Sequence, residues 1–593
     1  MKLIAQAHRA ITRHIAFFLS LWTLLACSAW GYLLAHLRQH DQAVAALGWI
    51  AVAAFFAALG TAAVAVARGP WRTVVKAACL MPAVVLAATY SFLWFNFEMN
   101  ISPHTATLLA ETNPQEAGEF ITAYWRTTGT ATAAAITVAM VAAVALAMRW
   151  RHVPARWAAM RWGRRVVVPA LMLVAAAGAL CTPRFVALAA CRNSAALLRW
   201  EQRHHPSGAD LCSATLYSLH SLRVNAADVQ AAVAAAREVY RTPVACSEPD
   251  SLIVIFVLGE SYIKHHAGIY GYPLDTTPRM ERERRRGNLF VFTDVIAPYN
   301  ATSVSEKNTF ACNSMSHGEF WYEKPAFPTV FRHAGFRVFF WDMQRDFQLK
   351  QMYTITVNAF LYNDTIAALS YDDTNAQRFM HDGALVHDFS VNHRPLARHN
   401  LIMFHLVGQH VHPVGRYPSA VARYNHFTAD SITARHPWLT REKRHYIATY
   451  DNATRYNDEV MGRIFDLYRD RNTVVLYFSD HGDEAYDYRD MKGRYGHENP
   501  DAMHMRYQLQ VPCVVWCSDT YQRRHPVVVE GLRRAVHRPF MIDNACHLLF
   551  HLAGIATPYY IAERDPMSTR FKPVPRIVYY RHNYDAVMRA SHR

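Results

Sequence analysis

The chain has 593 residues, which is too long for one hydrophobic core and predicts at least two domains. It carries 62 Lys and Arg against 46 Asp and Glu, a formal net charge of +16. Much of this excess is arginine in short loops between apolar stretches, and the rest lacks the basic and aromatic pattern of RNA- or DNA-binding surfaces. We therefore exclude nucleic acid as a partner and expect an anionic membrane surface or an anionic glycolipid.

Apolar stretches before residue 190 predict a membrane domain over residues 1–190. Most of them exceed the roughly 18–20 residues that a helix needs to cross a bilayer. The five stretches are residues 15–35, 43–67, 77–97, 127–148 and 166–182. The first lacks an Ala-x-Ala cleavage pattern and is closely followed by the others, so we interpret it as a retained helix. The last is the shortest, and a buried or re-entrant helix is the alternative for it.

Lys and Arg accumulate in alternate loops of this domain. Twelve of them lie before the first stretch, between the second and third, or between the fourth and fifth. The other two loops, residues 36–42 and 98–126, hold only Arg38 and Arg126. The positive-inside rule then places the N-terminus in the cytoplasm, and five crossings put everything after residue 190 on the outer side of the membrane.

The rest of the chain alternates apolar strands with longer polar or helical stretches. Residues 191–250 predict a connecting helical linker, and residues 251–593 predict a separate α/β domain. The predicted strands of this domain are residues 252–258, 336–341, 401–406, 473–478 and 511–516. Because strands that alternate with helices are typical of βαβ units, we expect a mainly parallel central sheet.

Two of these strands run directly into charged residues. Residues 252–259 are followed by Glu260, and residues 473–479 are followed by Asp480 and His481. Open α/β sheets bind ligands beyond the carboxyl ends of their strands, and a buried glutamate is costly unless a cation holds it. A divalent ion bound by these three side chains satisfies all of them. Oxygen and imidazole ligands without thiolate suit zinc or manganese.

A hydroxyl-rich loop offers a nucleophile. The segment 294–310 contains Thr302, Ser303 and Ser305 and opens what its pattern predicts to be a helix. The N-terminus of a helix places an alcohol at the positive end of the helix dipole, which favours a nucleophilic role. Ser and Thr are also common N-caps, and loop composition alone favours that structural role.

Several motifs in the right order resemble the phosphoethanolamine transferases that modify lipopolysaccharide, which belong to the alkaline-phosphatase/sulfatase superfamily. The resemblance covers nearly the whole chain. It rests on Gly259-Glu260-Ser261, residues 270–278, Tyr299-Asn-Ala-Thr302, residues 328–336, residues 405–410 with 416–418, residues 450–452 and Ser479-Asp-His-Gly482. It implies a multi-pass bacterial inner-membrane protein with an α-helical domain of five transmembrane helices, followed by a periplasmic α/β sulfatase-like domain with a mainly parallel sheet.

By this resemblance Thr302 is the nucleophile, and it shares a zinc ion with Glu260, Asp480 and His481. These roles agree with the chemistry, since a threonine hydroxyl is a weak nucleophile until a cation lowers its pKa. The implied reaction is ping-pong, in which Thr302 takes phosphoethanolamine from phosphatidylethanolamine and passes it to lipid A, the core or another periplasmic glycan. A second metal ion is compatible with the resemblance, manganese is the alternative to zinc, and we expect a monomer.

Further site residues follow from the same resemblance. His410 and His497 match histidines that contact the phosphoryl group or a second metal, although either could be an ordinary surface histidine. In the loop 98–126, Thr112 and Glu116 match an interfacial helix that lines the pocket for the lipid head group.

The chain departs from the family pattern at positions that bear on the acceptor. Lipid A-modifying members have a cysteine two residues before the threonine and another at the end of that segment. This chain has Asn300 and then Cys312, so we expect the bracing disulfide to be absent. Asp483 stands where the family commonly has Glu, and Lys264 lies near a usual Arg. The transferase prediction stands, and the acceptor stays open.

Two other functions stay open at this stage. A phosphoglycerol transferase of the lipoteichoic-acid-synthase type shares the helices, the superfamily and a threonine, and differs in using phosphatidylglycerol. A non-catalytic membrane scaffold or sensor would leave the buried carboxylates unexplained. A true sulfatase needs a Cys/Ser-x-Pro-x-Arg segment, and none lies near residue 302.

Overall fold

The structure, a computed structural model, describes residues 2–111, 114–345, 360–494 and 500–591. It divides into two compact units, Met1–Ala227 and Asp228–Arg593. The division falls inside the predicted linker 191–250 and within one helix, Leu211–Val239. The domain boundaries at residues 190 and 250 stay predictions.

The first unit is built from helices. They are α1 (Lys2–Ala35), α2 (His40–Val66), α3 (Trp71–Phe97), α4 (Pro103–Glu111), α5 (Pro114–Tyr124), α6 (Thr128–Arg149), α7 (His152–Ala159), α8 (Val168–Leu180, after a π-helical turn at Gly163–Val167), α9 (Pro183–Ala189), α10 (Ser194–His204) and the first part of α11 (Leu211–Val239).

Five helical segments in the described residues are long and apolar enough to cross a membrane, as the sequence predicts. They are Lys2–Ala35, His40–Val66, Trp71–Phe97, Thr128–Arg149 and Gly163–Ala189. Close approach of α2 and α8 depends on Gly178, because a Cβ there would lie 2.0 Å from the carbonyl oxygen of Ala51. The loop predicted to be interfacial contains the helices α4 and α5.

The second unit contains the strands. They are β1 (Ala245–Cys246), β2 (Leu252–Gly259), β3 (Leu289–Phe292), β4 (Val295–Ile296), β5 (Arg337–Asp342), β6 (Asp373–Thr374), β7 (His399–His405), β8 (Thr473–Ser479), β9 (Cys513–Cys517), β10 (Phe540–Met541), β11 (Ile555–Ala556), β12 (Ile577–Val578) and β13 (His582–Asn583). In the described residues, seven of them form the central sheet in the order β3-β9-β8-β2-β7-β5-β6. Strands β8, β2, β7, β5 and β6 are parallel, and β9 is antiparallel to both of its neighbours.

Helices alternate with these strands along the chain. They are α12 (Pro278–Arg286), α13 (Thr302–Phe310), α14 (Phe327–His333), α15 (Asp364–Ser370), α16 (Asp382–Asn392), α17 (Arg441–Leu467), α18 (Ala502–Gln508), α19 (Asp519–Arg524), α20 (Pro526–Ala535), α21 (Ala545–Ala553) and α22 (Tyr584–Ser591). The sheet has a hydrophobic core on each face, and every residue of β2 is buried between them. Two covered faces explain why the central strands are continuously apolar rather than alternating. All five predicted strands and the mainly parallel sheet are confirmed.

Candidate active site

Three neighbouring parallel strands end at the same edge of the sheet, and each delivers a chemically active side chain there. Gly259, the last residue of β2, is in register with Ser479 of β8, so Glu260 and Asp480 follow side by side. On the other side of β2, Leu258 is in register with His405, which ends β7. The carboxyl ends of parallel strands are where α/β sheets place their ligands.

Glu260, Asp480 and His481 form a buried group whose ligand atoms lie within 4.8 Å of one another. Oδ2 of Asp480 is buried without a hydrogen-bond partner. Nδ1 of His481 donates to the carbonyl oxygen of Gly482 at 2.6 Å, which fixes the tautomer and leaves Nε2 with a lone pair that accepts from Nη1 of Arg494 at 2.7 Å. An orphaned carboxylate oxygen and an oriented imidazole lone pair fit a divalent cation bound by these three residues.

The electrostatics of this group follow from burial and from mutual repulsion. Burial, together with Arg494, lowers the pKa of His481 to about 3, so its imidazole is neutral. Burial and the nearby Glu260 carboxylate raise the pKa of Asp480 well above its usual range. Burial opposes ionisation of Glu260 as well, but His410, Arg494 and the hydrogen bond from Ser261 outweigh it and lower the pKa of this carboxyl. Two carboxylates this close keep both charges only if a cation joins them.

Thr302 is the first residue of α13 and stands over this group. Its Oγ1 lies 3.2 Å from both carboxylate oxygens of Glu260 and 3.3 Å from Nε2 of His481. Ser305, one turn further along the helix, donates to the carbonyl oxygen of Asp480 at 2.5 Å and so fixes the helix to the β8 loop. Thr302 is only partly buried, whereas Glu260, Asp480 and His481 are fully buried.

A second buried group adjoins the first and shares Glu260 with it. Glu306 lies one turn after Thr302 on α13, and the ligand atoms of Glu260, Glu306 and His405 lie within 4.8 Å of one another. His405 is 2.7 Å from Glu306 through Nε2 and 2.9 Å from Asp342 through Nδ1. Burial opposes protonation of His405, but these two carboxylates outweigh it and raise its pKa well above the ordinary value. The positive charge in this group is therefore either protonated His405 or a second metal cation.

The backbone around Glu260 is strained and is held by neighbouring groups. Ser261 has a φ of 55°, an unusual conformation for a non-glycine residue. The hydroxyl of Tyr450 donates to the carbonyl oxygen of Ser261 at 2.6 Å and accepts from the amide of Ile263 at 2.7 Å. Gly408 has a φ of +50°, and a Cβ there would lie 2.7 Å from the carbonyl oxygen of Glu260. Only glycine fits that close approach.

The loops after β2 and β8 are joined by a buried ion triad. His266 contacts Asp451 of α17 through Nδ1 at 2.6 Å and Asp487 through Nε2 at 2.8 Å. Although burial opposes it, the two carboxylates raise the pKa of His266 to about 10. Asp487 belongs to the segment that follows the Asp480-His481 pair, so the triad fixes to α17 both loops that carry the candidate ligands.

Replacing His266 with glutamine is expected to destabilise the protein by about 3 kcal/mol, because it leaves two buried carboxylates without their cation. A group whose pKa is raised on folding stabilises the folded state fully at pH values below its pKa in the unfolded chain, here 6.5. That stabilisation is lost as the pH rises through its pKa in the folded protein, about 10. The melting-temperature deficit of the variant should therefore be largest below pH 6.5 and shrink towards pH 10. Glutamine at the exposed His445 is the control, and an equal deficit at all pH values would contradict the triad.

The structure brings most of the predicted site residues together. Glu260, Asp480, His481 and Thr302 are adjacent, and His410 lies near enough to lower the pKa of Glu260. Their catalytic and ligand roles stay predictions. His497 and Thr112 lie outside the described residues. Glu116 belongs to α5, and its side chain is outside the described part of the structure.

Sequence reasoning missed the second buried group. His405 ends an apolar strand just as Glu260 follows one, and that position could have marked His405 as a candidate site residue. Glu306 follows Thr302 at the helical spacing of four, which places both on one face of α13. Asp342 ends β5 in the same way.

Residues 253–555, just over half of the chain, match the family described as Sulfatase. The chain therefore belongs to the sulfatase family. Among curated proteins it is 27% identical to phosphoethanolamine transferase EptC of Escherichia coli K12 over 342 residues, 56% of this chain and 55% of that protein. The chain thus matches about half the length of such relatives.

Two solved structures share the fold. The C-terminal periplasmic domain of Escherichia coli EptC in complex with Zn has a TM-score of 0.50 and 23% identity, and covers 58% of this chain and 96% of its own. The integral membrane lipooligosaccharide phosphoethanolamine transferase A from Neisseria meningitidis has a TM-score of 0.57 and 17% identity, covering 93% of this chain and 97% of its own. The second similarity extends to the helical unit and the α/β unit alike.

Proposed function

We propose that this protein transfers phosphoethanolamine from phosphatidylethanolamine to a lipopolysaccharide or another periplasmic glycan. The observation that carries the proposal is the position of Thr302, whose Oγ1 lies within 3.3 Å of Glu260 and His481 in a buried group suited to a divalent cation. The curated relatives named as phosphoethanolamine transferases, one of them a Kdo(2)-lipid A phosphoethanolamine 7''-transferase of Salmonella typhimurium, support the choice of group and acceptor.

The reaction we propose has two displacement steps at phosphorus. In the first, Oγ1 of Thr302 forms a bond to the phosphorus of the donor lipid, the bond to the glycerol oxygen breaks, and diacylglycerol leaves with a proton. In the second, an acceptor phosphate or sugar hydroxyl takes the phosphoethanolamine group and restores the threonine hydroxyl. Splitting the transfer in this way keeps donor and acceptor from having to occupy the site together.

Individual side chains have distinct tasks in this scheme. Glu260 accepts the hydrogen bond of the Thr302 hydroxyl and so orients its lone pairs. Gln344 donates to Glu260 at 3.1 Å and keeps that carboxylate in place. Glu260, Asp480, His481 and Thr302 would hold zinc, with manganese as the alternative, and the ion would supply charge stabilisation for the threonine oxygen and the phosphoryl group. Glu306 and His405 with Glu260 are the candidates for a second ion.

The activity is tested by mass spectrometry of lipopolysaccharide from strains with and without the gene. We expect a phosphoethanolamine adduct that depends on the protein, and fragmentation locates it on lipid A, the core or another glycan. Analysis of the donor lipids separates the alternatives, because a phosphoglycerol transferase would consume phosphatidylglycerol instead. A protein that consumes neither lipid while retaining its metal would be a scaffold or sensor.

The proposed donor requires the second unit to be periplasmic. With a cytoplasmic N-terminus and five crossings, a reporter enzyme active only outside the cytoplasm should work when fused after Arg593. The same reporter should fail when fused within residues 149–165, the basic loop. Reporter activity compared at equal expression measures this, and the opposite pattern would remove access to outer-leaflet lipid and overturn the function.

A further inference from the structure

A cationic cavity lies beside the candidate active site in the second unit. It has a volume of about 720 Å³ and is bounded by β3, by α12, by the segment after β2, and by residues of α18 and α20. Its charged lining consists of Lys264, Arg284, Arg506 and Arg533, and no Asp or Glu is among the described residues that line it. Phe290 and Tyr270 add an apolar wall.

Lys264 is the feature that points to a ligand. Its side chain is about nine-tenths buried, yet in the described residues it forms no ion pair with a carboxylate. Its ammonium group donates to the carbonyl oxygen of Thr293 and lies 5.0 Å from the centre of the Tyr270 ring. The nearby Asp294 is already held by Arg576, at 2.7 and 3.2 Å. An ammonium buried without a counter-ion is costly, and an anion in the cavity removes that cost.

The other cationic groups of the lining reinforce this field. Arg506 forms no hydrogen bond or ion pair within the part of the chain that the structure describes, and its side chain is exposed towards solvent. Arg284 and Arg533 each pair with a glutamate on their own helix, Glu281 and Glu530, so they contribute less. The unneutralised charge is therefore concentrated on Lys264 and Arg506.

The cavity is close to the reacting groups. Lys264 follows Glu260 by four residues, which an extended chain spans in at most about 14 Å. His265 contacts Gln510 at 3.0 Å, and Asn300, two residues before Thr302, donates to Gln508 at 2.7 Å. One short segment, residues 508–510, thus contacts both the cavity lining and the loop that precedes the nucleophile.

We propose that this cavity binds a phosphorylated sugar of the acceptor. The phosphate that it would bind is neither the group transferred nor the group that receives it. This inference rests on the proposed transferase function. The volume is many times that of a phosphate ion alone. Lys264 and Arg506 would bind the phosphate, and the apolar wall would contact a ring face.

The test is calorimetric titration of the purified full-length protein with glucose 1-phosphate, glucose and inorganic phosphate. We expect glucose 1-phosphate to bind more tightly than either of the other two. Lys264→Met should weaken its binding at least tenfold and Arg506→Gln should weaken it measurably. Lys572→Met, an exposed lysine outside the cavity, should leave it unchanged. The exposed Arg506 variant keeps the test valid if the buried Lys264 variant folds poorly.

Three results would overturn the proposal. They are absence of glucose 1-phosphate binding, binding that neither variant weakens, and equal affinity for inorganic phosphate, which would mark a simple anion site. The titration does not depend on transfer activity, so a protein that binds the sugar phosphate without consuming phosphatidylethanolamine would refute the proposed function separately. In an active protein, the two variants should raise the KM for the acceptor.

Discussion

Replacing Thr302 with alanine is expected to abolish phosphoethanolamine transfer, with a loss of roughly 10⁵-fold or more, while the bound metal is retained. The substitution removes the oxygen that attacks phosphorus, and it leaves Glu260, Asp480 and His481 in their buried positions. The helix itself should persist, because Thr302 makes no N-cap hydrogen bond and Ser305 still anchors α13 to the β8 loop. Diacylglycerol release measures activity, and elemental analysis measures the metal.

The neighbouring hydroxyls provide the control for this experiment. Ser303 lies on the same turn of α13, and Ser303→Ala should leave transfer within a few-fold of the wild type. Ser305 already donates its hydrogen to the carbonyl oxygen of Asp480, so it is committed to a structural contact. Transfer that persists in the Thr302 variant would nevertheless assign the nucleophile to one of these two serines.

The sheet and the grouping of Glu260, Asp480 and His481 were accessible to prediction because their signals are local. A strand buried on both faces must be continuously apolar, and the segments 252–258 and 473–478 have this pattern. Charged residues that directly follow such strands lie at the ligand-binding edge wherever the strands are parallel. The pairing of β2 with β8 then places Glu260 beside Asp480. The two loops are far apart in sequence, since Ser261 donates its amide hydrogen to an Asp480 side chain 219 positions further on.

The second buried group and the His266 triad were not accessible in the same way, because their meaning depends on partners distant in sequence. Glu306 reads as an ordinary polar residue in a short helix until His405 is seen 2.7 Å away. His266 reads as one of two adjacent histidines in a loop, and its partners Asp451 and Asp487 lie 185 and 221 positions further on. Sequence supplies the residue types in these groups, whereas tertiary contacts decide which carboxylate neutralises which cation.

Replacing Asp480 with asparagine, or His481 with alanine, is expected to remove both the metal and the activity. Each change would delete one of the three ligands proposed besides Thr302, so the affinity for zinc should fall by more than the roughly 10–100-fold that loss of a supporting residue costs. Asparagine keeps the shape of Asp480 but removes the charge that offsets the cation, which separates an electrostatic effect from a loss of packing. Metal content after dialysis against a weak chelator, together with diacylglycerol release, measures the result.

A matched control exists in Asp458 of α17, another fully buried carboxylate. It accepts hydrogen bonds from the amides of Arg279 and Met280, and burial raises its pKa to about 7. Asp458→Asn makes the same chemical change in a different place and should leave metal content unaltered. Because Thr302→Ala is expected to keep the metal and Asp480→Asn to lose it, the two variants together separate nucleophile from ligand. Full metal occupancy in both the Asp480 and His481 variants would show that the ion is bound by other residues, and Glu260, Glu306 and His405 are the other buried candidate group among the described residues.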